Sequence, residues 1–117
     1  MGPIVLLKNF TFELEVGQSF TTDWIPFPSE HKNADMHVHL QSIVPTGLTT
    51  GVNTQLQATY DTVEEASVGG GVNQNLPGST TDNITSDLGP MARVRIANPE
   101  SVAIFGIVSV WLQPKSD

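Results

Sequence analysis

Met91-Ala-Arg-Val-Arg-Ile-Ala97, Asn98-Pro-Glu-Ser101 and Val102-Ala-Ile-Phe-Gly-Ile-Val-Ser-Val-Trp-Leu-Gln113 together form the stretch that decides the fold. Both outer runs are rich in β-branched and aromatic residues, which suit a pleated, half-buried surface. The segment between them sets Asn at the first position and Pro at the second position of a type I turn. The pattern predicts two antiparallel strands joined as a hairpin, and with them an all-β protein. In the second run Val108, Val110 and Leu112 share one face, while Ile107 and Trp111 share the other with Ser109 and Gln113. A strand that is apolar on both faces either lies beneath two covered layers or offers Trp111 to a partner, Trp being a residue type enriched at binding hot spots; for Trp24 and Trp111 individually, burial in the chain's own core is the simpler expectation.

The same alternation returns upstream. In Phe10-Thr-Phe-Glu-Leu-Glu-Val16 the residues Phe10, Phe12, Leu14 and Val16 fall on one face, and Thr11, Glu13 and Glu15 on the other. Gly17-Gln18 then predicts a two-residue turn into Ser19–Trp24 as a hairpin partner. Ile25-Pro-Phe-Pro28 lacks ladder donors at its prolines and belongs at an edge or corner. Between Asp35 and Val44, Met36, Val38 and Leu40 point one way and His37, His39 and Gln41 the other; Thr54–Tyr60 repeats this with Leu56, Ala58 and Tyr60 inward.

Residues 61–90 hold Gly69-Gly-Gly71, Leu76-Pro-Gly-Ser79 and Thr80-Thr-Asp-Asn83 with no sustained period, which predicts long loops around one or two short strands. A helical window is confined to Thr62–Ser67. Residues 1–8 form an N-terminal arm whose apolar part is Pro3 to Leu7. The whole, 1–117, reads as one antiparallel β-sandwich domain of six to eight strands, jelly-roll-like, with that arm and a long central loop region.

A chain of 117 residues buries roughly two thirds of the surface exposed by its unfolded form, enough for one core. Its 15% charged residues fall below the usual share of about 25%. The surface must therefore be Thr, Ser, Asn, Gln and Gly, a composition suited to a life against other subunits, where charge is depleted. With no cysteine, disulfides, thiolate chemistry and Cys-ligated zinc are excluded. The net charge is −7, and no Lys or Arg occurs from Asn33 through Ala92, which argues against nucleic acid as a partner. The apolar run after Met1 is too short for a signal peptide and its first positive charge, Lys8, follows rather than precedes it. No segment reaches the ~20 apolar residues of a membrane-spanning helix. These features predict synthesis in the cytoplasm without a signal peptide, and no membrane partner.

Four groups of residues invite a chemical reading. His37-Val-His39 sets two imidazoles on one strand face, as a metal site or a cupin-like enzyme would; a cupin follows its H-x-H with a Glu, and here Gln41, Ser42, Ile43 and Val44 stand instead. Polar side chains on a wet strand face are the simpler expectation, with no cofactor. Asp61, Glu64, Glu65, Asp82, Asn83 and Asp87 supply oxygens in loops, as a calcium- or carbohydrate-binding sandwich would, yet match no calcium motif. Arg93 and Arg95 share a strand face and are expected to pair with the Glu13 and Glu15 face, or else to anchor a neighbouring subunit. Ile4, Val5 and Leu6 in the arm, with Trp111, complete the interface candidates. No Gly-x-Ser-x-Gly elbow or phosphate loop is present, so the chain is expected to be no enzyme.

Phe20-Thr-Thr-Asp-Trp-Ile-Pro26, the alternating central strands, Ala92-Arg-Val-Arg-Ile96 and Val108-Ser-Val-Trp-Leu-Gln-Pro-Lys115 together resemble the small β-sandwich virion proteins of tailed bacteriophages. Proteins of that group decorate or cement the capsid shell, or serve in the tail or a head fibre. The resemblance implies a non-enzymatic structural protein, foremost a capsid decoration or cement protein. Its partners would be copies of itself, as a homo-oligomer, and a major capsid or other virion protein. The alternative is a carbohydrate- or ligand-binding sandwich.

Overall fold

The computed structural model describes residues 3–27, 33–59, 66–84 and 91–115. Among the described residues nine strands follow one another: β1 (Ile4–Leu14), β2 (Ser19–Thr21), β3 (Ile25–Pro26), β4 (Asn33–Val44), β5 (Val52–Thr59), β6 (Ala66–Gln74), β7 (Gly78–Ile84), β8 (Met91–Ala97) and β9 (Ile104–Lys115). They form two antiparallel sheets, one ordered β1-β9-β4-β7 and the other β2-β8-β5-β6, with β3 beside β2 along the same edge of β8. We refer to them as the first and second sheet. This is the strand order of a jelly roll, in which the chain crosses between layers at nearly every connection.

Alternation explains the layers. On β4, Ala34, Met36, Val38 and Leu40 are fully buried, as are Ile104, Val108, Val110 and Leu112 on β9. Facing them across the sandwich are Val52, Leu56 and Ala58 of β5 and Ala92, Val94 and Ile96 of β8. Each large aliphatic side chain taken out of water here contributes about 1.5–3 kcal/mol. At the margin where β1 and β2 approach, the rings of Phe10 and Phe20 stack at 4.8 Å and join the layers.

The hairpins expected at both ends are not formed. β8 pairs with β5, β2 and β3, while β9 pairs with β1 and β4, so residues 98–103 cross from one sheet to the other. β1 and β2 likewise lie in different sheets. A buried Asn98 drives the crossing: its amide donates to the carbonyl oxygens of Leu14, Glu15 and Val102, and its side-chain oxygen accepts from the Glu100 N–H. Asn98 N–H also donates to the Gln18 carbonyl, which binds the two corners together. Gly17, at φ 76, makes the first corner in a conformation that side-chain-bearing residues avoid. Val16, expected inward, stands in this corner and is exposed, because β1 ends at Leu14.

Two other expectations change. Residues 4–8 are no arm: they open β1, pair with β9, and pack Ile4, Leu6 and Leu7 against the core. Bulges between Val5 and Leu7 and between Leu7 and Phe10 interrupt that pairing, and Asn9 adopts a positive φ of 48 there. Such irregularities blunt an edge strand. Within the expected loops of 61–90, residues 66–74 and 78–84 are strands on the outer edges of the two sheets. Their Gly, Asn and Thr side chains suit an edge that needs little packing, and β5 and β4 supply the ladder. The helical window over 62–67 falls outside the described residues apart from Ala66 and Ser67, which begin β6.

Candidate functional site

The outer surface of the first sheet is built in rows by its register. Val5, Trp111, His37 and Thr81 lie across one row, and Ser109, His39 and Ser79 across the next. Thr11, Ile107 and Ser42 make a third, and Glu13, Phe105 and Val44 a fourth. Val5, Val44 and Phe105 are 58%, 56% and 43% exposed, so a sheet face with few charges shows aliphatic and aromatic surface to water at both ends. Between Glu13 and Val44 the surface sinks into an open depression over Gly106. A side chain at Gly106 would strike the Phe12 ring, 2.6 Å from its Cζ, and the Ser42 carbonyl, so glycine lets the core ring come up beneath this face.

At the far end of the face the Trp111 and His37 rings stack, with centroids 5.2 Å apart and planes 18° from parallel. Nδ1 of His37 lies 2.9 Å from Thr81 Oγ1, and Nδ1 of His39 lies 2.9 Å from Ser79 Oγ. Beyond them Asp35 accepts from Asn83 Nδ2 at 2.7 Å and pairs with Lys115 Nζ at 2.9 Å. The hydrogen bond from Asn83, then that from Lys115, holds the Asp35 carboxyl below its ordinary value.

The outer surface of the second sheet differs. Asn53 and Asn73 hydrogen-bond across β5 and β6 at 2.8 Å. Gln55, Arg95 and Thr21 form a row, and beside it Arg93 Nε donates to Gln57 Oε1 at 2.8 Å. The Arg93 guanidinium lies over the Trp24 ring, 4.2 Å from its centroid, a cation–π contact that flattens both groups on the sheet. This face carries amides, hydroxyls, two guanidinium groups and an indole.

The residues singled out in the sequence are thereby placed. His37 and His39 do share a face, but each is joined through Nδ1 to a hydroxyl on β7, and among the described residues no three metal-ligating groups come together. His31, which the sequence offers as a third imidazole ligand, lies outside the described residues. Arg93 and Arg95 do not meet Glu13 and Glu15: β8 and β1 belong to opposite sheets, and their outward faces look away from each other. Of the arm residues, Val5 points out, while Ile4 and Leu6 pack inward. On β7, Asp82 lies opposite buried Met36 with its Oδ2 buried, and Asn83 serves Asp35, so the two do not converge. Asp61, Glu64, Glu65 and Asp87 lie outside the described residues.

Sequence reasoning missed Val44, Phe105, Gln57 and the Trp24–Arg93 contact. The signal for Val44 was a break in alternation at Ser42-Ile43, where a register shift after Leu40 turns Ile43 inward and Val44 outward.

No family model matches the chain, and no curated protein matches it. Among solved structures, it is similar to the carbohydrate-binding module TmCBM61 in complex with beta-1,4-galactotriose. The TM-score is 0.48 and the identity 16%, over 90% of this chain and 69% of that one. The likeness is one of overall fold and assigns no residue or ligand here.

Proposed function

We propose that the chain is a non-enzymatic assembly protein of a virion, a capsid decoration or cement protein that binds protein subunits through the outer face of the first sheet. The observation that carries this reading is the row in which exposed Phe105 and Val44 flank an open depression, with Val5 exposed on the same face. Exposed apolar surface with few charges is what subunit contacts bury. The low charge content of the whole chain and its resemblance to small phage virion proteins support the same reading. The site of action would then be the virion, after synthesis in the host cytoplasm. The test is cosedimentation with phage particles: the native chain is expected in the particle fraction, and Phe105→Asp in the soluble fraction. A native chain that never accompanies particles refutes the reading.

A second reading, a carbohydrate-binding module, is favoured by the second sheet, where the Arg93 guanidinium lies over the Trp24 indole with the Gln57 amide hydrogen-bonded beside it. A flat ring beside fixed donors and acceptors is the chemistry that holds a sugar. Retention on immobilised polysaccharides, lost in Trp24→Ala, tests it.

A further inference from the structure

Four crossings between the layers close one end of the sandwich: residues 15–18 between β1 and β2, 45–51 between β4 and β5, 75–77 between β6 and β7, and 98–103 between β8 and β9. The register gathers them there, since Leu14 lies opposite Ile104, Val44 opposite Phe105, Val52 opposite Gln74 and Ser19 opposite Ala97. Hydrogen bonds then tie corner to corner. Asn98 joins the last to the first; Glu100 Oε1 accepts from the Thr50 and Gly51 N–H groups at 2.7 and 3.1 Å; and Asn75 Nδ2 donates to the Leu48 carbonyl at 2.8 Å.

Among the described residues seven large apolar side chains are exposed, and five of them, Val16, Val44, Leu76, Val102 and Phe105, stand in these corners or at their rim. Scattered singly they would need no explanation, but three separate corners each hold an aliphatic group in water, where it adds little to the core. None of the four segments contains Lys or Arg, whereas Glu15 and Glu100 stand within them and Glu13 lies beside Phe105. Among the described residues Glu13 and Glu15 have no ion-pair partner. The cations of the strands that reach this end are set back from it: Lys8 is exposed where β1 bulges between Leu7 and Phe10, Arg95 and Arg93 lie opposite Gln55 and Gln57 on the second sheet, and Lys115 stands at the far end of β9.

We propose that this end of the sandwich is a docking surface for a protein partner that presents apolar side chains interspersed with Lys or Arg. The proposal rests on the assembly reading above, whose exposed Phe105 and Val44 stand at the rim, and it states the chemistry of the subunit that is met. Apolar groups ringed by carboxylates, with no cation in any corner, complement a surface that is apolar and basic. Two copies joined by this end would set carboxylates against carboxylates, and an anionic bilayer would repel the same groups. Because hydrogen bonds already fix the corners, docking orders little further chain.

The probe is a short peptide alternating leucine and lysine, titrated into the isotope-labelled full chain and followed by amide chemical shifts. Changes are expected in the four corners and at Val44 and Phe105. Peptides alternating leucine with glutamate, or serine with lysine, should bind about tenfold or more weakly, and so should the leucine–lysine peptide to a Val16→Ser, Leu76→Ser double variant. Val5→Ser, at the other end of β1, should bind as the native chain does. Should the double variant lose its circular dichroism melt, Val102→Ser with Glu15→Gln takes its place.

Shifts centred on the outer face of either sheet, equal affinity for the leucine–glutamate peptide, or unchanged affinity in the double variant each overturn the proposal. A native dimer that the double variant abolishes gives this end to a second copy, and flotation of the native chain with phosphatidylcholine vesicles, lost in the double variant, gives it to a bilayer; both overturn it as well. Cosedimentation separates this proposal from the assembly reading. A double variant that accompanies phage particles as the native chain does removes the docking end and keeps the assembly function, whereas peptide shifts confined to the corners of a chain that never accompanies particles do the reverse.

Discussion

The side-chain amide of Asn98 donates to the backbone carbonyl of Leu14 at 3.0 Å, across 84 residues of sequence. With its bonds to Glu15 and Val102 it ties the end of β1 to the crossing between β8 and β9. Asn98 is 2% exposed and Leu14 3%, so the Leu14 carbonyl that loses this amide has little water to turn to. Asn98→Ala should therefore cost about 1–3 kcal/mol, because the buried Leu14 acceptor is orphaned and the bonds to Glu15 and Val102 are lost with it. Urea denaturation with an unchanged slope and a lowered midpoint would measure it. A cost near zero would mean that the corner is held by backbone alone.

The strand β1 gives a sharper test of layer assignment. Phe12 is buried under Gly106, whereas Glu13 faces water on the outer surface. Phe12→Ala should cost about 3–5 kcal/mol and Glu13→Ala under about 0.5 kcal/mol. Gly106→Ala should also destabilise, by about 1–3 kcal/mol, since its methyl group meets the Phe12 ring and a backbone carbonyl that cannot move far. Equal and small effects at all three positions would place the core elsewhere.

Alternation made the inward sets of β4, β5, β8 and β9 legible, because a buried face imposes a period of two on any strand. What it could not convey was which strands pair. Ala92, Val94 and Ile96 would point to a core equally well in a hairpin with Val108 and Val110 or, as found, on the layer facing them. The choice is helped by Asn98, whose partners Leu14, Glu15 and Gln18 lie far back in the sequence and leave no local mark. The strands β6 and β7 were hidden for another reason: edge positions accept Gly, Asn and Thr, which locally read as turns. On the candidate faces, the two arginines were legible as outward residues of one strand, whereas Trp111 read as core and Val5 as part of an arm, and Val44 was concealed by a bulge that reverses its parity.

Asp35 makes stability depend on pH at the acid end. Its carboxyl is held below the ordinary 3.8 by hydrogen bonds from Asn83 and Lys115. A carboxylate whose folded value is depressed contributes stability that is fully present above the unfolded value and is lost as pH falls through the folded one. Stability should thus decline below about pH 4 with a component that Asp35→Asn removes. Carboxyl chemical shifts followed through an acid titration would locate the Asp35 midpoint. A midpoint at or above the ordinary value would contradict the geometry.

The paired histidines offer a prediction that separates structure from chemistry. If His37 and His39 serve as polar cover on β4, replacing both by Gln keeps a side chain able to reach Thr81 and Ser79, and the fold should persist. The stack on Trp111 would be lost, at about 0.5–1.5 kcal/mol. Stoichiometric zinc, iron or manganese in the native protein that disappears in this double variant would restore the metal reading.

Arg93 does two jobs at once, and lysine can do neither well. Its Nε–H donates in plane to Gln57 while its flat guanidinium covers Trp24, so the two contacts share one rigid group. Gln57 is 4% exposed, and its oxygen has little access to water if that donor leaves. An ammonium is a compact point charge that cannot lie flat on an indole and reach sideways in the same plane. Arg93→Lys should therefore cost about 1 kcal/mol and Arg93→Ala about 1–3 kcal/mol, the larger figure reflecting the buried oxygen left without a partner. Trp24 becomes more exposed in both, which fluorescence should register as a red shift against a Trp111→Phe background. Equal stability of the Lys and Arg proteins, with no change in Trp24 emission, would show that the guanidinium is not fixed on this face.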